Sequence, residues 1–485
     1  MADASLKKQT LSGVVWKVCE RSLTQVVSFV VSIILARLLS PNDYGLIALV
    51  IVFATICDKL IVCGFATSLI QKKDADNLDF STVFVFSIIA AVILYSLLFI
   101  NAPLIADFFS KYDRQLLINV IRIYGITLFL IALNSVQHAF ASRHMQFKVF
   151  FWAKLVGTII SAAVGILMAY AGFGVWSLVG QTLSCTLSDC IVMWFAIKWR
   201  PDLLFSTTRL KSLFSYGWKI FAASIIRVLY NDVRSLVIGK VYTPADLAFY
   251  NKGQSFPQII DNNVNGTIDS VLFPAISKLQ SSPNEMVSAL RRAIKTSCFF
   301  IMPLLACLAA VSSSLVLVLL TEKWIECAPY LVILSFAFLF TPVELENLQA
   351  IKAIGRSDIV LKLEIIKKII GLLILVVSIP FGVKAIAIGM MLSMYISTII
   401  NIYPNKTLLG YSLHSQFIDV LPSLSLTALA FVCTKIFQFL VPLSNNLIEL
   451  LLCGCLFFIV YLGVAKILNM ESLNYIFLTI KNKKK

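Results

Sequence analysis

The sequence predicts an all-α polytopic membrane protein of about fourteen transmembrane helices. They are expected as two six-helix repeats, forming N- and C-lobes around a central cavity, plus two extra C-terminal helices. Three observations predict this. Hydrophobic residues make up 59% of the 485 and charged residues 14%, against roughly 45–50% and 25% in soluble domains. Apolar runs such as Val83 to Phe99 recur from end to end. Continuous runs exclude the alternation of a β-barrel, which leaves helices that satisfy their own backbone within the membrane. The third observation is an internal duplication. Trp16 to Pro41 is repeated by Trp218 to Pro244, Asp58 by Asp261, Arg143 by Arg356, and Gly172-Phe-Gly-Val175 by Pro380-Phe-Gly-Val383. All offsets fall between 202 and 213, the mark of a long-period repeat in register.

In order, the spans are read over 12–38, 44–68, 80–105, 116–141, 149–171, 174–197, 212–240, 246–276, 293–320, 328–351, 359–380, 383–404, 416–440 and 446–468. Span 1 opens near Trp16 and ends in Leu-Leu-Ser-Pro-Asn-Asp-Tyr-Gly; span 7 opens near Trp218 and ends in Tyr-Thr-Pro-Ala-Asp-Leu-Ala. Span 8 is the least apolar. The domains follow: residues 1–205 form the N-terminal six-helix bundle, and 206–412 its repeat. Residues 413–485 form two additional helices and a basic tail. An even number of spans per copy means that both copies enter from the same side, related by an axis along the membrane normal. Connections are short, leaving no room for a soluble catalytic domain. Trp152, Trp194, Trp199 and Trp324 sit at span ends, as interfacial anchors do.

Orientation follows from the basic residues. With a cytoplasmic N-terminus, 26 Lys and Arg lie inside and 7 outside, so both ends are expected in the cytoplasm. The formal charge of +16 then reflects topology and contact with anionic lipid, and nucleic acid is not an expected partner. Eleven cysteines lie in or beside apolar runs without metal-binding spacing, and read as small hydrophobic filler. His138, His144 and His414 are scattered, and no phosphate loop or nucleophile elbow appears. No enzyme and no cofactor is expected.

Ionisable groups within spans are costly and usually face a bundle interior or a wet cavity. Here they concentrate in the repeated helix pairs. Lys17, Glu20, Arg21, Thr24, Gln25 and Ser28 form one stripe of span 1. Arg227, Asn231 and Arg234 recur along span 7, Gln258, Asp261, Asn262, Asn265 and Asp269 along span 8, with Asp58-Lys59 in span 2 and Arg122 in span 4. Mutual pairing that merely locks the bundle is the plainer reading of any single residue. As a set, basic residues outnumber acids on spans 1 and 7. Such a surplus suits an anionic passenger, because guanidinium matches phosphate bidentately. The candidate cavity residues are therefore Lys17, Glu20, Arg21, Gln25, Lys59, Arg122, Arg227, Asn231, Arg234, Gln258, Asn262, Asn265 and Asp269. Asp58 and Asp261 are candidates for binding a coupling Na+ or H+.

Gly13-Val-Val-Trp16, Leu35-Ala-Arg-Leu-Leu-Ser-Pro-Asn-Asp-Tyr-Gly45, Phe273-Pro-Ala-Ile-Ser-Lys-Leu-Gln280 and Gly355-Arg356-Ser-Asp358 carry a likeness. The chain resembles the polysaccharide transporter (Wzx-type) flippases of the multidrug/oligosaccharidyl-lipid/polysaccharide superfamily. The resemblance implies twelve core spans in two bundles, often with two more. It also implies transfer of undecaprenyl-diphosphate-linked oligosaccharide from the cytoplasmic to the outer leaflet of a bacterial inner membrane, in the synthesis of O-antigen, capsule or exopolysaccharide. Implied partners are the lipid-linked oligosaccharide, membrane lipids and the polymerase and export machinery. The alternatives are an exporter of small amphipathic compounds on the same fold, an uncoupled lipid scramblase, and a membrane glycosyl ligase, which the short loops oppose.

Overall fold

The structure is a computed structural model that describes residues 16, 23–280, 282–471 and 473; the side chains of 264–271 and 273–275 lie outside the description. The described chain is helical throughout. It runs α1 (Leu23–Leu38), α2 (Pro41–Val62), α3 (Phe65–Gln71), α4 (Asn77–Phe108), α5 (Arg114–Tyr124), α6 (Thr127–Arg143), α7 (Phe147–Tyr170), α8 (Trp176–Ala196) and α9 (Thr207–Val241). There follow α10 (Pro244–Ser277), α11 (Pro283–Ala310), α12 (Ser312–Leu319), α13 (Ala328–Ala337), α14 (Thr341–Ala353), α15 (Ser357–Ser378), α16 (Val383–Leu409), α17 (Leu413–Leu440) and α18 (Asn446–Ile467). Short 3-10 turns join α12 to α13, α13 to α14 and α15 to α16.

Ten spans among the described residues are long and apolar enough to cross a membrane. This is a multi-pass membrane protein. Helices α9, α10 and α15 fall outside that set, although each coincides with an expected span. The reason is polarity: α15 alone carries Asp358, Lys362, Glu364, Lys367 and Lys368 between its second and twelfth residues.

The chain forms two compact units, Met1–Ala248 and Phe249–Lys485. In the first, α2 packs on α9 and α7 on α8. Small residues permit the close approach, as they do generally between membrane helices: Gly157 lies against the Cys185 backbone and Gly165 against the Gln181 side chain. In the second, Ile294, Cys298, Ile301 and Leu305 of α11 form a core with Val343 of α14, Ile402 of α16 and Val420 of α17. The last two helices belong to this unit. Tyr461 of α18 stacks near Phe299 of α11 and donates to its carbonyl at 2.9 Å.

Helix starts are set by local chemistry. Ser40 caps α2 in a reciprocal box: its Oγ accepts from the Asp43 amide at 3.3 Å, and the Asp43 carboxylate accepts from the Ser40 amide at 3.0 Å. Thr243 and Asp246 build the same box at the start of α10, at 3.2 and 3.1 Å. Asp76 and Asp79 make a third at α4, where the Asp79 amide holds the Asp76 carboxyl below its ordinary value. Gly174 and Gly382, partners in the repeated Phe-Gly-Val motif, both take left-handed backbone, with φ of 53° and 95°. Trp324 departs from expectation. It is fully buried against Phe249 rather than placed as an interfacial anchor. The ten described cysteines are free thiols.

Gly45 of α2 marks the tightest contact. A Cβ there would lie 1.8 Å from the Pro244 carbonyl oxygen, and backbone cannot move aside as a flexible side chain can. Gly45→Ala is therefore expected to cost about 3 kcal/mol, the upper end of the overpacking range. It should be read as loss of the monodisperse peak when the detergent-purified protein is sized. An unchanged peak and melting curve would refute this.

Candidate functional site

Within the first unit the expected cations divide into satisfied and unsatisfied. Lys17, Glu20 and Arg21 lie outside the described residues, and Gln25 is half-buried on α1. Lys59 is bound to its neighbour Asp58 at 2.6 Å, a local pair. Arg122 lies across Phe99, its guanidinium 4.2 Å from the ring centre and Nε 3.4 Å from the Phe99 carbonyl oxygen. Helix α9 differs. Arg227 and Asn231 are exposed along it, and Arg234, one turn beyond Tyr230, is 8% exposed. Its guanidinium faces the Tyr230 ring at 5.6 Å, and among the described residues no carboxylate lies within 4.0 Å of it. A buried guanidinium against a π-face is a cation that attracts anions.

A second cluster of this unit was invisible as such in the sequence. Asp189 of α8 is buried and accepts from Asn134 Nδ2 at 2.7 Å, with His138 Nε2 at 3.1 Å and Lys154 Nζ at 3.7 Å. The sequence dismissed His138 as scattered. A single acid inside the apolar run of span 6 was the available signal.

In the second unit Gln258 and Asn262 are exposed on α10, and Asp261 accepts from the Thr341 hydroxyl. The side chains of Asn265 and Asp269 lie outside the description. Other polar groups of this unit are drawn together inside it. Lys367, one of the 26 basic residues expected on the cytoplasmic side, is buried with its ammonium 3.1 Å from Glu344 and 2.6 Å from Glu364. Asn401 Nδ2 points at the same Glu344 carboxylate at 3.4 Å. Asn347, Asn405 and Gln416 form a buried amide ladder, with Gln416 Nε2 to Asn347 Oδ1 at 2.9 Å and Asn405 Nδ2 to Asn347 Oδ1 at 2.7 Å. Arg291 grips Asp419 with two bonds of 2.7 and 2.8 Å, and the Tyr411 hydroxyl donates to that carboxylate at 2.7 Å. Beside this ladder an apolar cavity of about 530 Å³ is lined by Phe340, Val343, Tyr395, Ile399, Ile402 and Phe417. It can take hydrocarbon but offers little to a charged group.

Most of these charges are paired within the helix bundles of their own unit. The sequence pattern of a family described as polysaccharide biosynthesis protein matches residues 34–329, more than half of the chain. The chain belongs to that family. The chain is 24% identical over 361 residues to the teichuronic acid biosynthesis protein TuaB of Bacillus subtilis, covering 73% of each chain. It is 24% identical over 415 residues to the lipopolysaccharide biosynthesis protein WzxC of Escherichia coli, covering 84% of this chain and 81% of that one. Among solved structures, the inward closed conformation of the lipid II flippase MurJ superposes with a TM-score of 0.73. That match has 14% identity and covers 94% of this chain and 98% of the other. At that identity the likeness shows a shared fold.

Proposed function

We propose that the protein is a flippase that carries undecaprenyl-diphosphate-linked oligosaccharide across the cytoplasmic membrane of a bacterium, by alternating access, during assembly of a surface polysaccharide. The observation that carries this reading is Arg234, a buried guanidinium without a carboxylate partner among the described residues, on a helix that also presents Arg227 and Asn231. A fixed cation in such a place favours a mobile anion, and a diphosphate supplies bidentate acceptors for it. Family membership supplies the chemical context, since TuaB and WzxC are named for surface-glycan synthesis and MurJ for flipping a lipid-linked precursor. The apolar cavity beside α16 and α17 suits a stretch of the prenyl chain. On this reading the chain comprises two six-helix repeats and two further helices, with both termini cytoplasmic. Na+ or H+ would drive the cycle, bound at Asp58 or Asp261, and the polymerase would act on the delivered product.

The test is the sidedness of lipid-linked oligosaccharide in the strain of origin after deletion of this gene. Accumulation on the cytoplasmic leaflet, with surface glycan lost, is expected. Normal sidedness with normal glycan would overturn the proposal and favour export of small amphipathic compounds.

A further inference from the structure

Lys154 and Lys367 stand 213 residues apart, the offset that also relates Arg143 to Arg356. Each is the cation of a cluster drawn from three long helices of its own unit, and the two clusters hold the same three groups. In the first, Lys154 on α7 faces Asp189 on α8 at 3.7 Å, and Asn134 on α6 donates to that carboxylate at 2.7 Å. In the second, Lys367 on α15 faces Glu344 on α14 at 3.1 Å, and Asn401 on α16 directs its Nδ2 at that carboxylate at 3.4 Å. The acid therefore sits on the helix after the lysine in one unit and before it in the other, and the amide takes the opposite place. The exchanged positions, Asn134 with Glu344 and Asp189 with Asn401, are 210 and 212 apart, within one helical turn of the lysine register. In both clusters the amide Oδ1 is buried without a donor among the described residues.

We propose that Lys154 and Lys367 are the equivalent positioning residues of a duplicated ionic clip, which requires one carboxylate beside the lysine but not a particular helix to supply it. Uncompensated charge is the dominant cost where a carboxylate is buried in a membrane bundle, as Asp189 is with its side chain 7% exposed, although Lys154 beside it is 44% exposed. That cost depends on net charge within the cluster far more than on which backbone bears the acid. Asn and Asp are isosteric, so exchanging them between α6 and α8 reverses the direction of one N–H···O bond and leaves its geometry in place. His138, at 3.1 Å from Asp189, keeps a carboxylate within reach either way. The clip joins α6, α7 and α8 in one unit and α14, α15 and α16 in the other. Its service to transport rests on the flippase reading; the exchange of charge does not.

The first unit gives the cleaner test, because Glu364 supplies the second lysine with a spare acid at 2.6 Å. Asp189→Asn, Asn134→Asp and the double variant of the full chain would be compared by melting in detergent and by surface glycan made in the deletion strain. Asp189→Asn alone is expected to lower the melting temperature and cut glycan about tenfold, the equivalent of about 1.4 kcal/mol. Adding Asn134→Asp should recover more than half of the lost melting temperature and most of the glycan. A double variant as unstable as Asp189→Asn overturns the clip, since the acid is then tied to α8. If Asp189→Asn yields no folded protein, folded double variant is the supporting result and none the opposing one. Melting that follows the exchange while glycan ignores every variant would keep the clip and overturn its part in transport.

Discussion

Replacing Arg227 and Arg234 together by Ala is expected to abolish surface glycan while leaving the amount of inserted protein unchanged. Arg227 is exposed on α9 and Arg234 is buried against Tyr230 without a carboxylate among the described residues. Neither truncation strands an acid, so the bundle should tolerate both. The diphosphate would lose two charged donors. Each charge-assisted hydrogen bond contributes about 1.5–3 kcal/mol, so the pair accounts for about a hundred- to ten-thousand-fold in retention of the head group at 1.4 kcal/mol per decade. Arg→Lys at both positions should restore part of the loss, because the point charge returns without the planar fork. Glycan export that persists at wild-type level in the Ala double variant, with membrane insertion confirmed by immunoblot, would remove the anion site from the mechanism.

Lys367→Met is expected to destabilise the second unit by about 3–5 kcal/mol, the usual cost of breaking a buried ion pair on one side. The lysine side chain is only 9% exposed and Glu344 16%, so neither can regain full hydration. Without the ammonium, the Glu344 carboxylate keeps only the long contact with Asn401, 3.4 Å away, and Glu364 becomes a like-charged neighbour. Combining Lys367→Met with Glu344→Leu should recover much of the loss, since an apolar pair of similar volume avoids the stranded charge. Melting of the detergent-purified chain measures both. A single variant as stable as the parent, or a double variant worse than the single, would show that this pair does not hold α14 to α15.

The sequence by itself determined the class and much of the outline. Apolar runs placed most of the described helices within about five residues, because a segment in hydrocarbon must satisfy its own backbone and does so without help from distant chain, although α11 begins at Pro283, ten residues before its expected span, which breaks between α11 and α12. The paired acids that cap α2 and α10 were legible for the same reason: Ser40 with Asp43 and Thr243 with Asp246 are three residues apart. Family resemblance was legible in the Leu35–Gly45 motif. The state of each charge was not. Arg122 and Arg234 look alike in the sequence, yet one lies on the Phe99 carbonyl and the other, among the described residues, has no carboxylate within 4.0 Å. Lys367 reads in the sequence as a cytoplasmic residue, whereas α15 turns it toward Glu344. Asn134 meets Asp189 across 55 residues and Asn401 meets Glu344 across 57. Such meetings depend on the rotation of each helix about its axis, and that rotation is set by side-chain packing between helices rather than by any local pattern. In a chain this apolar nearly every face can be buried, so hydrophobic periodicity gives no direction, and only the tertiary structure decides which charges meet.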